Sequence, residues 1–148
     1  MDISQEIYEK LQKKHPQSKG LVIFDGGCVL CNRSVKYLLS VDKEKSLLFT
    51  SFGSPLISGK ETDMILKDSS PESLIYVNNK GVYSESDAAL EIAKAIGTFK
   101  LLVFTGKLLP RFLRNFIYRI IARYRYSWFG KTNQCIVPSR KDEGRFYL

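Results

Sequence analysis

Side chains that bind metals or form disulfides are scarce in this chain, which has one histidine and three cysteines in 148 residues. An odd number of cysteines argues against a secreted framework stapled by disulfides. A four-ligand zinc site is also disfavoured, because only His15 and Cys135 remain as ligands beside the pair Cys28 and Cys31. We therefore expect neither a bound metal nor a bound cofactor.

The sequence also has no long uninterrupted hydrophobic run. Its most apolar region, residues 101–122, is broken by Lys107, Pro110 and three arginines, whereas a membrane-spanning helix needs about 20 apolar residues. The first six residues have neither the basic nor the apolar part of a secretory signal. Together with the low cysteine count, these absences predict a cytoplasmic protein whose thiols are kept reduced.

Positive charge is concentrated in the C-terminal third of the chain. The whole chain has a net charge of +8, and residues 98–148 have a net charge of +9, since 11 Lys and Arg stand against Asp142 and Glu143. Such a segment is either a solvated helix face or a surface for nucleic acid, anionic lipid or an acidic partner protein.

Apolar periodicity predicts a single α/β domain that begins with a βαβ unit. Residues 1–17 form a short N-terminal helical extension in this interpretation. Residues 21–24 are typical of a strand buried on both faces, and the apolar positions of residues 28–41 fit a helix. A second strand at residues 46–52 completes the unit, whose crossover implies parallel strands.

The second half of the core is predicted to be a hairpin followed by a helix. Strands at residues 73–77 and 82–83 flank a turn, and the next helix ends at Gly97. Residues 53–70 indicate irregular structure. The order βαβ then ββα, over residues 18–97, is that of a thioredoxin-like fold.

The remainder, residues 98–148, is predicted to be a basic helical extension with an irregular tail from Gly130. Pro110 separates two helical segments. We expect the second segment, which carries an apolar stripe, to pack the aromatic side chains of residues 118–126 on the domain and to offer Arg123 or Arg125 to a thiolate or an anionic partner. The stripe consists of Phe112, Phe116, Ile117, Ile120, Ile121 and Tyr124.

The most informative motif is the pair Cys28 and Cys31 directly after the first strand. Cysteines three residues apart on a first helical turn can form a disulfide with little backbone movement, and a helix N-terminus stabilises a thiolate. We predict thiol-disulfide exchange with protein or small-molecule substrates. A solvent-exposed Cys28 is the expected attacking thiolate, and Cys31 is the expected resolving thiol.

Asp25, Cys135 and Pro71 are further candidate site residues. An ionised carboxylate raises the pKa of a nearby thiol, so Asp25 either relays a proton to or from Cys31 or accepts N–H bonds of the glycine turn. Cys135 is either a buried apolar side chain or a second resolving thiol. Pro71 is either an ordinary turn proline or the cis-proline that thioredoxin-like folds place opposite the dithiol.

Other interpretations of the motif remain. A strand that ends in Phe-Asp-Gly also resembles the start of haloacid-dehalogenase-like phosphatases, but those enzymes have a second acid where this chain has Gly27. The two cysteines can also be purely structural. The chain is then a non-enzymatic binding module whose basic helix contacts anionic lipid, nucleic acid or an acidic partner.

Two stretches resemble the DCC family of predicted thiol-disulfide oxidoreductases, which is named after its Asp-Cys-Cys triplet. The first is Phe24-Asp25-Gly26-Gly27-Cys28-Val29-Leu30-Cys31-Asn32. The second runs from Pro110 through Tyr118-Arg119-Ile120-Ile121-Ala122-Arg123-Tyr124-Arg125-Tyr126 and Trp128-Phe129-Gly130-Lys131 to Cys135. The resemblance covers about residues 18–138. It implies a thioredoxin-like fold, a functional triplet of Asp25, Cys28 and Cys31, and candidate site roles for Arg119, Arg123, Arg125 and Cys135.

Overall fold

A computed structural model describes residues 3–25, 27–51, 74–97, 99–131 and 146–147. The predictions for residues 53–70, Pro71 and Cys135 lie outside the described residues. Within the described ranges, the elements in chain order are α1 (Ile3–Lys14), β1 (Gly20–Phe24), α2 (Val29–Val41), β2 (Leu47–Ser51), β3 (Ile75–Asn78), β4 (Gly81–Ser84), α3 (Glu85–Ile96), α4 (Lys100–Leu108), α5 (Arg111–Phe129) and β5 (Phe146–Tyr147).

The strands form one mixed sheet in the order β4-β3-β1-β2-β5. β1 pairs in parallel with β2, and β3 pairs antiparallel with both β1 and β4. This βαβ and ββα arrangement confirms the predicted thioredoxin-like fold with its C-terminal helical part. The division at residues 17 and 97 stays a prediction.

The expectation of a wholly irregular tail is wrong at residues 146–147. These residues form β5, which pairs in parallel with β2 and places Phe146 opposite Phe49. The outer edge of β2 offers backbone N–H and C=O groups that a short added strand can pair with. The end of the chain therefore returns to the central sheet.

β1 is the buried centre of the molecule, because both of its faces are covered. On one face Leu21 and Ile23 pack with Ile7 and Leu11 of α1. On the other face Val22 and Phe24 join a cluster that includes Val35 of α2 and Ile92 of α3. Burial of each such side chain stabilises the fold by roughly 1.5–3 kcal/mol. The rigid strand fixes the position at which the chain emerges at Asp25.

A buried carboxylate fixes the connection from α2 to β2. Asp42 follows the last residue of α2, and its Oδ1 accepts hydrogen bonds from the backbone N and the Oγ of Ser46, at 3.1 and 2.8 Å. Its Oδ2 accepts a bond from the N–H of Leu47 at 2.9 Å. Because these donors stand at the start of β2, Asp42 holds the βαβ unit in register.

Of the aromatic side chains of residues 118–126 in α5 that were expected to pack on the domain, Tyr118 and Tyr126 contact it, whereas Tyr124, and Trp128 after it, are exposed. Phe112, Phe116, Ile120 and Tyr124 of the predicted stripe are exposed. The inward side makes polar contacts, because acidic residues of the core meet its basic residues. Arg114 pairs with Asp87, Arg119 pairs with Glu85, Arg125 pairs with Asp25, and Asn115 accepts a hydrogen bond from Ser86. None of the described helices combines the length and the hydropathy needed to cross a bilayer.

Candidate active site at the start of α2

Cys28 is the N-cap residue of α2, with extended backbone angles of φ −104° and ψ 122°. Its Sγ accepts a hydrogen bond from the N–H of Cys31 at 3.3 Å, and its own N–H donates to the carbonyl of Asp25 at 3.2 Å. The sulfur therefore accepts a hydrogen bond from one of the N–H groups that have no partner within the helix at its start. The predicted position of the pair at a helix N-terminus is confirmed, and both cysteines are free thiols.

The expectation that Cys28 is exposed to solvent is wrong, because its side chain is fully buried. The chain that leaves α5 passes directly over it. Lys131 forms an antiparallel bridge with Cys28, and the carbonyl of Gly130 accepts a bond from the N–H of Val29 at 3.4 Å. Gly130 has φ 89°, a backbone conformation that favours glycine and lets the chain bend away from the helix. Among the described residues, Gly130 and Lys131 pair with the backbone at Cys28 and Val29, and these two residues are here named the cover of Cys28.

Cys31 is half-buried and lines a cavity of about 140 Å³ between α2 and α5. The lining is mainly apolar and includes Phe24, Leu38, Leu74 and Ile121, together with Tyr118 and Arg125. The two thiols thus differ in their surroundings. Cys28 lies under backbone, whereas Cys31 borders a small apolar space.

The environment of Cys31 raises the pKa of its thiol. Burial is the largest cause, and together with the side-chain hydrogen bond and charge of Cys28 it raises the pKa of Cys31 to about 12. The positive charge of Arg125 acts in the opposite direction, and Asp25 adds a small further increase. Cys31 is therefore a neutral thiol at physiological pH.

Asp25 connects the glycine turn to α5. Its Oδ1 accepts the N–H of Gly27 at 2.9 Å. Its Oδ2 accepts a bond from Nη2 of Arg125 at 3.2 Å and another from the hydroxyl of Tyr126. Arg125 is almost completely buried, and its Nη2 also donates to the Tyr126 hydroxyl at 3.2 Å. Since both carboxylate oxygens are engaged, this geometry favours the anchoring role of Asp25 over proton relay.

Tyr126 extends this network to the cover of Cys28. Nζ of Lys131 lies 4.6 Å from the centroid of the Tyr126 ring, at cation–π distance. Burial and the hydrogen bond with Asp25 raise the pKa of Tyr126, so its hydroxyl stays protonated and can donate. Asp25, Arg125, Tyr126 and Lys131 therefore form one connected group above the start of α2.

Of the three arginines proposed for the site, only Arg125 reaches it. Arg119 points to Glu85 at 3.3 Å, and its side chain is 69% exposed. Arg123 is exposed, and its guanidinium carbon lies 5.8 Å from the centroid of the Tyr124 ring.

Two tyrosines of the site had no assigned role in the sequence interpretation. The Tyr118 hydroxyl accepts a hydrogen bond from the N–H of Leu74 at 2.8 Å, and Tyr126 contacts Asp25. Burial raises the pKa of Tyr118. Tyr118 lies seven residues before Arg125 on the same face of α5, so helical spacing from Arg125 could have identified it. Tyr126 is the neighbour of Arg125 in the sequence and lies about 100° further around the helix.

Within the residues that the structure describes, no three His, Cys, Asp or Glu side chains come together as a metal site. The site in these ranges consists of two thiols, one carboxylate, one guanidinium and two phenols. Two thiols at this spacing can be oxidised to a disulfide by exchange with an external disulfide, and they can be reduced again by external thiols.

Comparison with known proteins found a family model that matches the chain and proteins of similar sequence. A family model described as DCC1-like thiol-disulfide oxidoreductase matches residues 22–131. The uncharacterized protein YuxK of Bacillus subtilis is 33% identical, over 85% of this chain and 92% of its own length. A DCC family protein of Arabidopsis thaliana, described as chloroplastic, is 34% identical over 78% of this chain and 67% of its own length. No solved structure matches the chain.

Proposed function

Because this chain belongs to the DCC1-like thiol-disulfide oxidoreductase family, we propose that it exchanges electrons with disulfides through Cys28 and Cys31. The observation that carries the proposal is the hydrogen bond from the N–H of Cys31 to the Sγ of Cys28 at the N-cap of α2. It brings the two residues together one helical turn apart, and it stabilises negative charge on the sulfur of Cys28.

In the reductive direction, the thiolate of Cys28 attacks one sulfur of a substrate disulfide. A mixed disulfide forms, and the other substrate sulfur leaves as a thiolate that takes up a proton. Cys31 then loses its proton and attacks the sulfur of Cys28. The second substrate thiol leaves, and the protein is left with a Cys28–Cys31 disulfide after the transfer of two electrons. The raised pKa of Cys31 keeps this thiol protonated until the second step.

The cover of Cys28 must separate before a substrate disulfide reaches the buried sulfur. Among the described residues, four contacts hold it: the bridge between Cys28 and Lys131, the bonds from Val29 to Gly130 and from Gly130 to Tyr126, and the contact of Lys131 with Tyr126. Opening of a short segment with so few contacts is a local event that leaves the sheet intact. Exchange therefore includes an opening step before the chemical one.

The assignment is tested by the reduction of oxidised glutathione and of a protein disulfide by the reduced protein. Cys28→Ser removes the attacking sulfur, so its rate falls to that of the uncatalysed reaction. Cys31→Ser removes the resolving thiol, so the mixed disulfide accumulates and is detected by its mass. Ser40→Ala, on α2 but hydrogen-bonded to Tyr37, serves as the control and keeps the wild-type rate.

A Cys28→Ser variant that reduces disulfides as fast as the wild type would end the assignment of the nucleophile. The same assay applied to Cys135→Ser decides whether that residue is a second resolving thiol. The family supports thiol or disulfide substrates, while the choice between protein and small-molecule substrates and the cytoplasmic location stay predictions.

A further inference from the structure

The outward side of α5 is apolar along almost the whole helix. Phe112, Phe116, Ile120, Tyr124 and Trp128 recur every four residues and are all exposed, with 77% for Phe112 and 60% for Trp128. At 1.5 Å and about 100° per residue, the row extends over about 24 Å and winds about 160° around the helix. A helix of a soluble domain normally buries such a row, whereas the one buried residue of α5 is Arg125.

The neighbouring helix α4 adds a second exposed apolar row. Leu101, Phe104 and Leu108 lie at helical spacing, and Leu101 is 76% exposed. The two helices share one groove of about 400 Å³, in which Leu102 of α4 faces Ile117 of α5. The rows of α4 and α5 together are called the outer face below.

The charge of this segment restricts what can cover the outer face. Residues 99–131 contain eight Lys and Arg and no Asp or Glu. Several arginines pair with acidic residues of the core, whereas Lys100, Lys107 and Arg123 are exposed. A surface that combines large apolar side chains with exposed cations matches an anionic lipid interface, where apolar groups enter the acyl region and cations meet headgroups.

We propose that the outer face docks on an anionic membrane surface. A second copy of the chain fits less well, because a two-fold contact would bring the cation-bearing outer faces of both copies together. Nucleic acid also fits less well, because binding to phosphates requires cations along the contacting side, and that side of α5 is mainly aromatic and aliphatic. Tyr124 and Trp128, which stack with ring centroids 5.5 Å apart, are residue types enriched at bilayer interfaces.

The test uses the full chain with phosphatidylcholine vesicles, with and without about one third phosphatidylglycerol. Trp128 is the only tryptophan of the chain, so its fluorescence reports on the outer face directly. We expect a blue shift and co-sedimentation with the anionic vesicles, and weaker binding as salt is raised. Binding to neutral vesicles is expected to be at least tenfold weaker.

Two sets of variants test the two halves of the proposal. The double variant Phe112→Ser and Phe116→Ser removes exposed side chains, so the fold is kept and vesicle affinity falls at least tenfold. The triple variant Lys100→Gln, Lys107→Gln and Arg123→Gln lowers affinity by about fivefold per charge. The matched control, Lys13→Gln, Lys36→Gln and Lys43→Gln, removes exposed cations elsewhere and leaves the affinity unchanged.

Three results would overturn the proposal. The first is an unshifted Trp128 spectrum with anionic vesicles. The second is a concentration-dependent dimer that the phenylalanine variants dissociate, which would make the outer face a contact between copies. The third is salt-sensitive retention on nucleic acid without retention on vesicles. None of these three results depends on the two cysteines, so membrane docking is tested independently of disulfide exchange.

Discussion

At the scale of single residues, the two thiols differ more than their spacing implies. Cys28 accepts an N–H at the N-cap, whereas burial and the neighbouring Cys28 raise the pKa of Cys31 to about 12. The attacking and resolving roles that we propose follow from this difference, since a backbone N–H is directed at the sulfur of Cys28. Arg125 opposes the increase in the pKa of Cys31 through its positive charge, and this reduces the cost of the second step.

The raised pKa of Cys31 predicts that the reduced protein becomes less stable to unfolding at alkaline pH. The folded state keeps this proton more tightly than the unfolded chain, whose cysteine titrates at about 8.5–9. The contribution of Cys31 to stability is therefore complete below that range and is lost as the pH rises towards the folded value. The free energy of unfolding of the reduced wild type should fall more steeply between about pH 8 and pH 10.5 than that of Cys31→Ser.

The comparison with Cys31→Ser isolates this thiol, because the tyrosines with raised pKa values, Tyr76, Tyr118 and Tyr126, are present in both proteins. Urea unfolding at a series of pH values gives the two slopes. Equal slopes would show that the environment of Cys31 does not hold its proton.

At the scale of secondary structure, α5 is the element that completes the site. It supplies Tyr118, Arg125 and Tyr126 from its inward side and continues into the cover of Cys28. The link between the glycine turn and this helix is the ion pair of Asp25 and Arg125. α5 therefore contributes to the candidate site as well as to the C-terminal extension.

The ion pair predicts that replacing two arginines of the same helix lowers the free energy of unfolding by different amounts. Arg125→Gln leaves Asp25 without its buried partner, and we expect the free energy of unfolding to fall by about 2 kcal/mol. Full burial of such a pair would make the loss about 3–5 kcal/mol, but the Asp25 side chain is 23% exposed. Arg119→Gln removes an exposed pair with Glu85 and should cost less than about 1 kcal/mol.

Urea unfolding of both variants measures this difference. The Arg125 variant should also expose Cys28 to alkylation faster, because the cover loses part of its support. An Arg125 variant as stable and as slowly alkylated as the Arg119 variant would contradict the anchoring of α5 through Asp25.

The elements that sequence alone could identify are those determined by nearby residues. The buried run at residues 21–24, the glycine turn and the helical spacing after Cys28 are local signals, so β1, α2 and the placement of the dithiol were predictable. The burial of Cys28 was not, because its cover, Gly130 and Lys131, follows much later in the chain. The orientation of α5 was not, because an amphipathic helix can contact a domain through either side. Arg114 and Arg125 face inward here because Asp87 and Asp25 lie at the contact.

At the scale of the whole molecule, redox chemistry and the outer face occupy opposite sides of one helix. The inward side of α5 contacts the dithiol region, while the outward side carries the apolar rows. Ile121 borders the cavity of Cys31 and is itself partly exposed. A protein docked through the outer face would therefore hold its redox site close to the lipid surface without inserting it.

The central claim is that Cys28 and Cys31 form a reversible two-electron couple, and the most direct test is an equilibrium redox titration. The protein is incubated in glutathione buffers from roughly −300 to −120 mV, quenched with acid, alkylated and mapped by mass. We predict one two-electron transition, with a Cys28–Cys31 disulfide on the oxidised side. The transition should be absent in Cys28→Ser and in Cys31→Ser. A protein in which the two thiols never pair across this range would contradict it.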